Sequence, residues 1–170
     1  MTTVIETQRL TLDELAPPDA DFIVELLNDP AFLANIGDRG VRDHADALRY
    51  IANGPAASYA KHGFGLWLVR DKASGERLGL SGLLQRDTLP DADIGYAFLP
   101  QYRGQGYAVE ACTAVIAHAR EPLRLPRVLA IVSPGNEAST RVLEKIGLRY
   151  QRRTRLSEDA EELLLYSTEA

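Results

Sequence analysis

The run Gln101-Tyr102-Arg103-Gly104-Gln105-Gly106-Tyr107-Ala108 sets two glycines one residue apart, between an apolar strand-like stretch and an Ala-rich helix-like stretch. Without a Cβ, glycine lets the backbone approach a ligand closely and take angles closed to other residues. Backbone N–H groups at the head of the following helix point into such a turn, and the helix dipole favours negative charge there. The chemistry suited to the turn is anion binding, with a phosphorylated cofactor as the natural ligand and Arg103 as a supporting charge. The spacing is neither the G-x-x-x-x-G-K-[ST] phosphate loop nor the G-x-G-x-x-G dinucleotide fingerprint. A glycine-rich connection with no ligand is the alternative, because two glycines alone are a weak signal.

Two further stretches carry reactive groups. Before the turn, Ile94, Tyr96 and Phe98 alternate with Asp93, Gly95, Ala97 and Leu99, so the two sets occupy opposite faces of a strand. The second face is small enough for another body to lie against it, and Asp93 stands at its end; beside Asp91 it reads alternatively as a solvated turn carboxylate. After the turn, Ser139, Val142, Leu143 and Ile146 recur at i, i+3, i+4 and i+7, which puts the Ser139 hydroxyl at the head of a buried helical stripe. An inward hydroxyl needs a partner, either a ligand or the backbone of its own first turn. Asn136, just ahead of it, is a helix cap by type.

The elements that position these groups follow from periodicity. Residues 6–15 alternate as a strand, and Asp19 caps a helix carrying Phe22, Ile23, Leu26 and Leu27 that ends near Asn28 and Pro30. Residues 41–59 form one or two helices broken at Gly54-Pro55, and residues 64–70 and 77–85 are strands joined by a turn. A strand at 93–99, a helix at 106–120, a strand at 127–132, a helix at 136–146 and strands at 148–156 and 162–167 complete the chain. That order argues for one mixed sheet with helices on both faces.

Composition narrows the function. With 170 residues, 45% of them hydrophobic, the chain is the size of one domain with a full core, 1–170. Its 24 acidic against 19 basic side chains and the lack of a basic run argue against a nucleic-acid partner. No apolar stretch approaches the roughly 20 residues that span a bilayer, and one cysteine and no leader-like N-terminus point to the cytoplasm. His44, His62 and His118 lack metal-ligand spacing, so no metal is expected. Cys112 sits among Val109, Val115 and Ile116 and is expected to be packed rather than reactive. Trp67 reads as core, and Arg149, Arg153 and Arg155 as a solvated strand face.

The turn resembles the Q/R-x-x-G-x-G/A pyrophosphate loop of the GNAT superfamily of acetyl-CoA-dependent N-acetyltransferases. Thr7-Gln8-Arg9-Leu10, Asp93-Ile94-Gly95-Tyr96, Asn136-Glu137-Ala138-Ser139 and Glu144-Lys145-Ile146-Gly147-Leu148 are similar to further segments of that family, in its order. Together they look most like the RimJ/RimL branch. The resemblance implies an α/β fold with a single mixed, mostly antiparallel sheet, helices on both faces and a splayed central pair of parallel strands. It implies acetyl-CoA as co-substrate, held by Ala97, Phe98, Leu99, Arg103, Gly104, Gln105, Gly106, Tyr107, Ala108, Asn136 and Ser139, and transfer in a ternary complex to a primary amine, either a protein N-terminus or a small molecule. Asp93 would be the general base, an Asp where Glu is commoner, and strand N–H groups at Ala97, Phe98 and Leu99 would steady the oxyanion. Ser139 would assist the departing thiolate, since Leu143 stands where many relatives place a tyrosine. The absence of a Ser-His-Asp or Cys-His set favours direct transfer. The resemblance leaves room for a homodimer. The rival readings are a noncatalytic acyl-CoA-binding sensor of the same fold and a protein-interaction domain.

Overall fold

The computed structural model describes residues 2–168. Its strands are β1 (Thr3–Glu6), β2 (Leu10–Asp13), β3 (Leu66–Asp71), β4 (Arg77–Leu84), β5 (Asp93–Phe98), β6 (Leu129–Val132), β7 (Arg149–Thr154) and β8 (Leu163–Ser167). They form one sheet in the order β1-β2-β3-β4-β5-β6-β8-β7. Every neighbouring pair is antiparallel except β5 and β6. That parallel pair meets at Asp93 and Leu129, the one ladder pairing between them among the described residues. Beyond it the two strands part, and a wedge opens in the middle of the sheet.

The helices are α1 (Ala20–Leu27), α2 (Pro30–Asn35), α3 (His44–Ile51), α4 (Ala57–His62), α5 (Tyr107–Arg120) and α6 (Glu137–Lys145). One face of the sheet buries Trp67, Val69, Leu83, Ile94 and Phe98 under α5 and α6, through Ala111, Cys112, Val115 and Leu143. The other face buries Leu68, Leu80 and Leu99 under α1, α2 and α3, through Ile23, Leu26, Phe32 and Ile51. Alternation along β3 feeds both layers, since Trp67 and Val69 point one way and Leu66 and Leu68 the other. The fold is thus the mixed sheet covered on both faces that the pattern predicts.

Three local expectations change. The strand expected over 6–15 is a hairpin, β1 to β2, because Thr7 N–H donates to the Leu10 carbonyl (2.9 Å) and Leu10 N–H to the Thr7 hydroxyl (3.0 Å). A second helix, α2, follows α1, because Asp29 turns its carboxylate onto the N–H groups of Ala31 and Phe32. Proline at the first turn suits that start, since its missing N–H would have been unpaired there. Asp19 precedes α1 but does not cap it through its side chain; the carboxylate accepts from Ala16 N–H (2.9 Å) and pairs with Arg77 (2.9 Å). The break expected at Gly54-Pro55 is a π-turn over Ala52–Ala56 joining α3 to α4.

Candidate functional site

A cavity of about 1260 Å³ occupies the wedge, lined from β4, β5 and β6, the turn after β5, the head of α6 and the segment from α2 to α4. Its lining brings Asp93, Tyr96, Ala97, Phe98, Arg103, Gly104, Gly106, Tyr107, Ala108, Asn136 and Ser139 together. Leu99 and Gln105 flank it.

The glycine turn forms one wall. Gly104 and Gly106 have φ of +76° and +81°, the left-handed region where other residues are strained. Gly106 sits at the N-cap of α5 and has no side chain to offer, so the first N–H groups of the helix lack the partner a capping side chain would give. A fourteen-residue helix thereby presents its positive end to the cavity. Arg9 braces the turn from beneath: its guanidinium lies 4.5 Å from the Tyr107 ring, 2.6 Å from Glu110 and 3.0 Å from the Gln105 carbonyl. A Cβ on Gly106 would meet Arg9 Nη2 at 3.4 Å. Space alone would admit a Cβ at either position; what selects glycine is the left-handed backbone that turns the N–H groups of the cradle towards the cavity. Arg103, expected to face phosphates, instead sends its guanidinium to Asp29 (2.7 Å) and to the Phe98 carbonyl (2.8 Å). It ties the turn to α2 rather than pointing into the cradle.

Asp93 lies where the strands part. It is 1% exposed, which removes the solvated-turn reading; neighbouring Asp91 is the carboxylate that pairs with surface Arg127, at 2.6 Å. Arg86, from the loop after β4, places Nε 3.1 Å from Asp93 Oδ1. Burial pushes the Asp93 carboxyl up to about 6 and outweighs the downward pull of Arg86. A carboxylate with a proton affinity near neutrality is suited to accept a proton from an incoming group and pass it on.

Ser139 lies across the cavity. Asn136 caps α6 as expected, accepting from Ser139 N–H at 3.3 Å. The Ser139 hydroxyl bonds not within its own turn but to Tyr96 Oη, 2.9 Å away on β5. Burial pushes the Tyr96 phenol up to about 12, with the Ser139 bond opposing, so Tyr96 remains a proton donor at neutral pH. Sequence reasoning placed Tyr96 with Ile94 and Phe98 on one strand face and gave its hydroxyl no role. The signal available was the combination of an inward serine and a tyrosine on the facing strand.

Register also sorts the strand N–H groups. Leu99 N–H donates to the Leu78 carbonyl at 3.1 Å, and alternation in an antiparallel pair turns Ala97 towards β4 as well. Phe98 is the residue of the three whose backbone faces the wedge, consistent with the bond its carbonyl takes from Arg103. Away from the cavity, Cys112 is buried against Ser81 (3.3 Å) with its thiol pushed up to about 12 by burial. Trp67 is 1% exposed in the core. Arg149, Arg153 and Arg155 are exposed, as a solvated face requires. Among the described residues no cluster of three His, Cys, Asp or Glu side chains could hold a metal, and no helix is long and apolar enough to cross a membrane.

A sheet opened at its one parallel pair, with an uncapped helix head on one side and a buried carboxylate on the other, defines an α/β protein built to hold a phosphate-bearing ligand beside a proton acceptor. Residues 9–149 match the acetyltransferase (GNAT) domain family, and the chain belongs to it as an acetyl-CoA-dependent acyltransferase. It is 31% identical over 156 residues to the uncharacterized protein YkkB of Bacillus subtilis strain 168, covering 90% of this chain and 89% of that one. An acetyltransferase structure from Agrobacterium tumefaciens str. C58 superposes with a TM-score of 0.82 at 28% identity, over 98% of this chain and 94% of that one. RimL, a ribosomal L7/L12 alpha-N-protein acetyltransferase solved with coenzyme A, shares the fold with a TM-score of 0.83 at 15% identity, over 97% and 96%.

Proposed function

We propose that the protein transfers the acetyl group of acetyl-CoA directly to a primary amine, in a ternary complex held in the wedge between β5 and β6. The observation that carries this reading is Asp93: a buried carboxylate with its pKa near 6, in the same cavity as an uncapped helix head. The N–H groups of residues 104–108 would hold the pyrophosphate, and Asn136 and β5 the arm that reaches the reacting centre. Acetyl-CoA, when bound, supplies an activated acetyl thioester. Asp93 takes the proton from the attacking amine, directly or through a water. Phe98 N–H steadies the carbonyl oxygen as charge builds on it. The Ser139 hydroxyl, held in place by the Tyr96 hydroxyl behind it, hydrogen-bonds the departing sulfur, so that coenzyme A leaves as a stabilised thiolate and takes its proton from solvent. A coenzyme A thiol has a pKa close to that of free cysteine, about 8.5, so this assistance is worth far less than the base.

The acceptor is a small-molecule amine or the α-amine of a protein N-terminus. Thiol release from acetyl-CoA, measured across peptides with different first residues, amino acids, polyamines and aminoglycosides, tests the reading. Release that requires an amine and yields an equal amount of acetylated amine is the expected result. Binding of acetyl-CoA without release on any amine would overturn it in favour of a sensor.

A further inference from the structure

The ionisable groups that line the acceptor side of the cavity have an unexpected sign. The chain carries a formal net charge of −5, yet Arg39, Lys61, His62 and Arg86 line the cavity, and among the described residues Asp93 is the one acid in its lining. These four belong to the loop after α2, the end of α4 and the loop after β4, none of them part of the glycine turn. Among the described residues neither Arg39 nor Lys61 has a carboxylate partner, and Arg39 lies close enough to Tyr50 to oppose the burial that raises its phenol. The one acid is itself paired: Arg86 Nε rests 3.1 Å from Asp93, and Arg86 remains 31% exposed. A guanidinium has five N–H donors, so Arg86 keeps several free to take an anion while it still touches Asp93. The loop between β7 and β8 reaches the cavity through Leu156, but its acids Glu158, Asp159, Glu161 and Glu162 are not in the lining, and Glu162 is engaged by Arg153 at 2.6 Å.

An amine without a compensating anion is a cation in water and would meet a cluster of like charge around its only carboxylate. Resting on the acetyl-transfer reading above, we infer that the acceptor is an amine carrying a carboxylate or phosphate a few bonds away, its anion held by Arg86 with Arg39 and Lys61 and its nitrogen delivered to Asp93. The same chemistry is offered by a free amino acid or amino phosphate and by a peptide N-terminus followed by an acidic residue. Polyamines and aminoglycosides are excluded by the same charges. Arg86 thereby acts twice, tempering the base and reading the substrate.

Matched acceptors test this with the full chain and acetyl-CoA: β-alanine against β-alaninamide, O-phosphoethanolamine against ethanolamine, and a peptide beginning Ser-Asp against one beginning Ser-Asn, with spermidine as the cationic extreme. Rates are compared per unprotonated amine. The anionic member of each small-molecule or peptide pair is expected to show at least tenfold higher kcat/KM, falling several-fold in 0.5 M salt, and spermidine to be the poorest acceptor. Which kind of pair turns over faster separates the two sources. In an Arg39→Gln, Lys61→Gln double variant the within-pair ratio should fall below about threefold; general damage to the fold lowers both members and leaves their ratio intact. Equal rates within the pairs, an unchanged ratio in the double variant, or a preference for spermidine would overturn the inference while leaving acetyl transfer in place. Thiol release on none of these amines, nor on the wider panel named above, would instead sink acetyl transfer to amines. Calorimetry of the same pairs on the coenzyme A complex would then still decide the charge preference, and equal affinities would overturn it too.

Discussion

Asp93 is pulled in two directions, upward by burial and downward by the Arg86 guanidinium, and burial prevails to set the carboxyl near 6. A base must be ionised, so activity is expected to fall as pH drops through about 6. Removing the cation removes the downward pull, and the acidic limb of the kcat/KM profile in Arg86→Gln should move to higher pH. A limb that stays in place would detach either Arg86 from Asp93 or Asp93 from catalysis. Stability gives an independent reading, since a carboxyl whose pKa is raised by folding favours the fold below its unfolded value of about 3.9 and loses that contribution as pH rises through about 6. At pH 7 the ionised group is therefore a cost to the fold. Asp93→Asn should melt at or above the wild-type temperature while losing about a hundredfold or more in turnover, a combination a purely structural ion pair would not give.

Between elements, β5 and α6 meet through one hydrogen bond, Tyr96 to Ser139, across 43 positions of sequence. If the two hydroxyls act on the departing sulfur as one hydrogen-bonded pair, Tyr96→Phe and Ser139→Ala should each lower turnover by about tenfold, and the double variant little further, because groups acting as a unit are not additive. Acetyl-CoA affinity should stay within a few-fold. Additive losses, or a change in melting temperature with full turnover, would mark the pair as packing instead. This contact also shows where sequence reasoning stops. The strand, glycine turn and helix 93–120 were legible because their signals are contiguous: alternation, two glycines, then an apolar helical run. The Asn136 cap was legible because a cap acts within one turn. The pairing of Arg103 with Asp29 spans 74 positions, and the Tyr96 contact depends on how β5 faces α6; neither leaves a mark in local periodicity. Arg86 lies only seven residues from Asp93, but a loop separates them and no repeat relates the two.

For the molecule as a whole, the decisive feature is the weak seam in the sheet. Among the described residues the β1-to-β5 half and the β6-β8-β7 half share one ladder pairing, Asp93 with Leu129, across the wedge. What otherwise joins them is the layer of α5 and α6, whose core takes residues from both halves, Ile94 and Phe98 on one side and Ala130 and Val132 on the other. A ligand lying in the wedge would touch the turn at the head of α5, the open edge of β5 and the head of α6, and so bridge a seam the backbone leaves open. Binding to the folded state alone at a hundred times Kd stabilises by about 2.7 kcal/mol, and for a chain of this size each kcal/mol raises Tm by roughly 2–4 °C. Coenzyme A at that excess should therefore raise Tm by about 5–10 °C, with slowed amide exchange along β5 and β6. Gly106→Asp places a carboxylate in the anion cradle at a left-handed position beside Arg9. Whatever its own Tm, that variant should show no rise with coenzyme A, whereas a His44→Ala, His118→Ala double variant, altered outside the cavity lining, should keep the full rise. A retained shift in Gly106→Asp would place the phosphate site elsewhere than the turn.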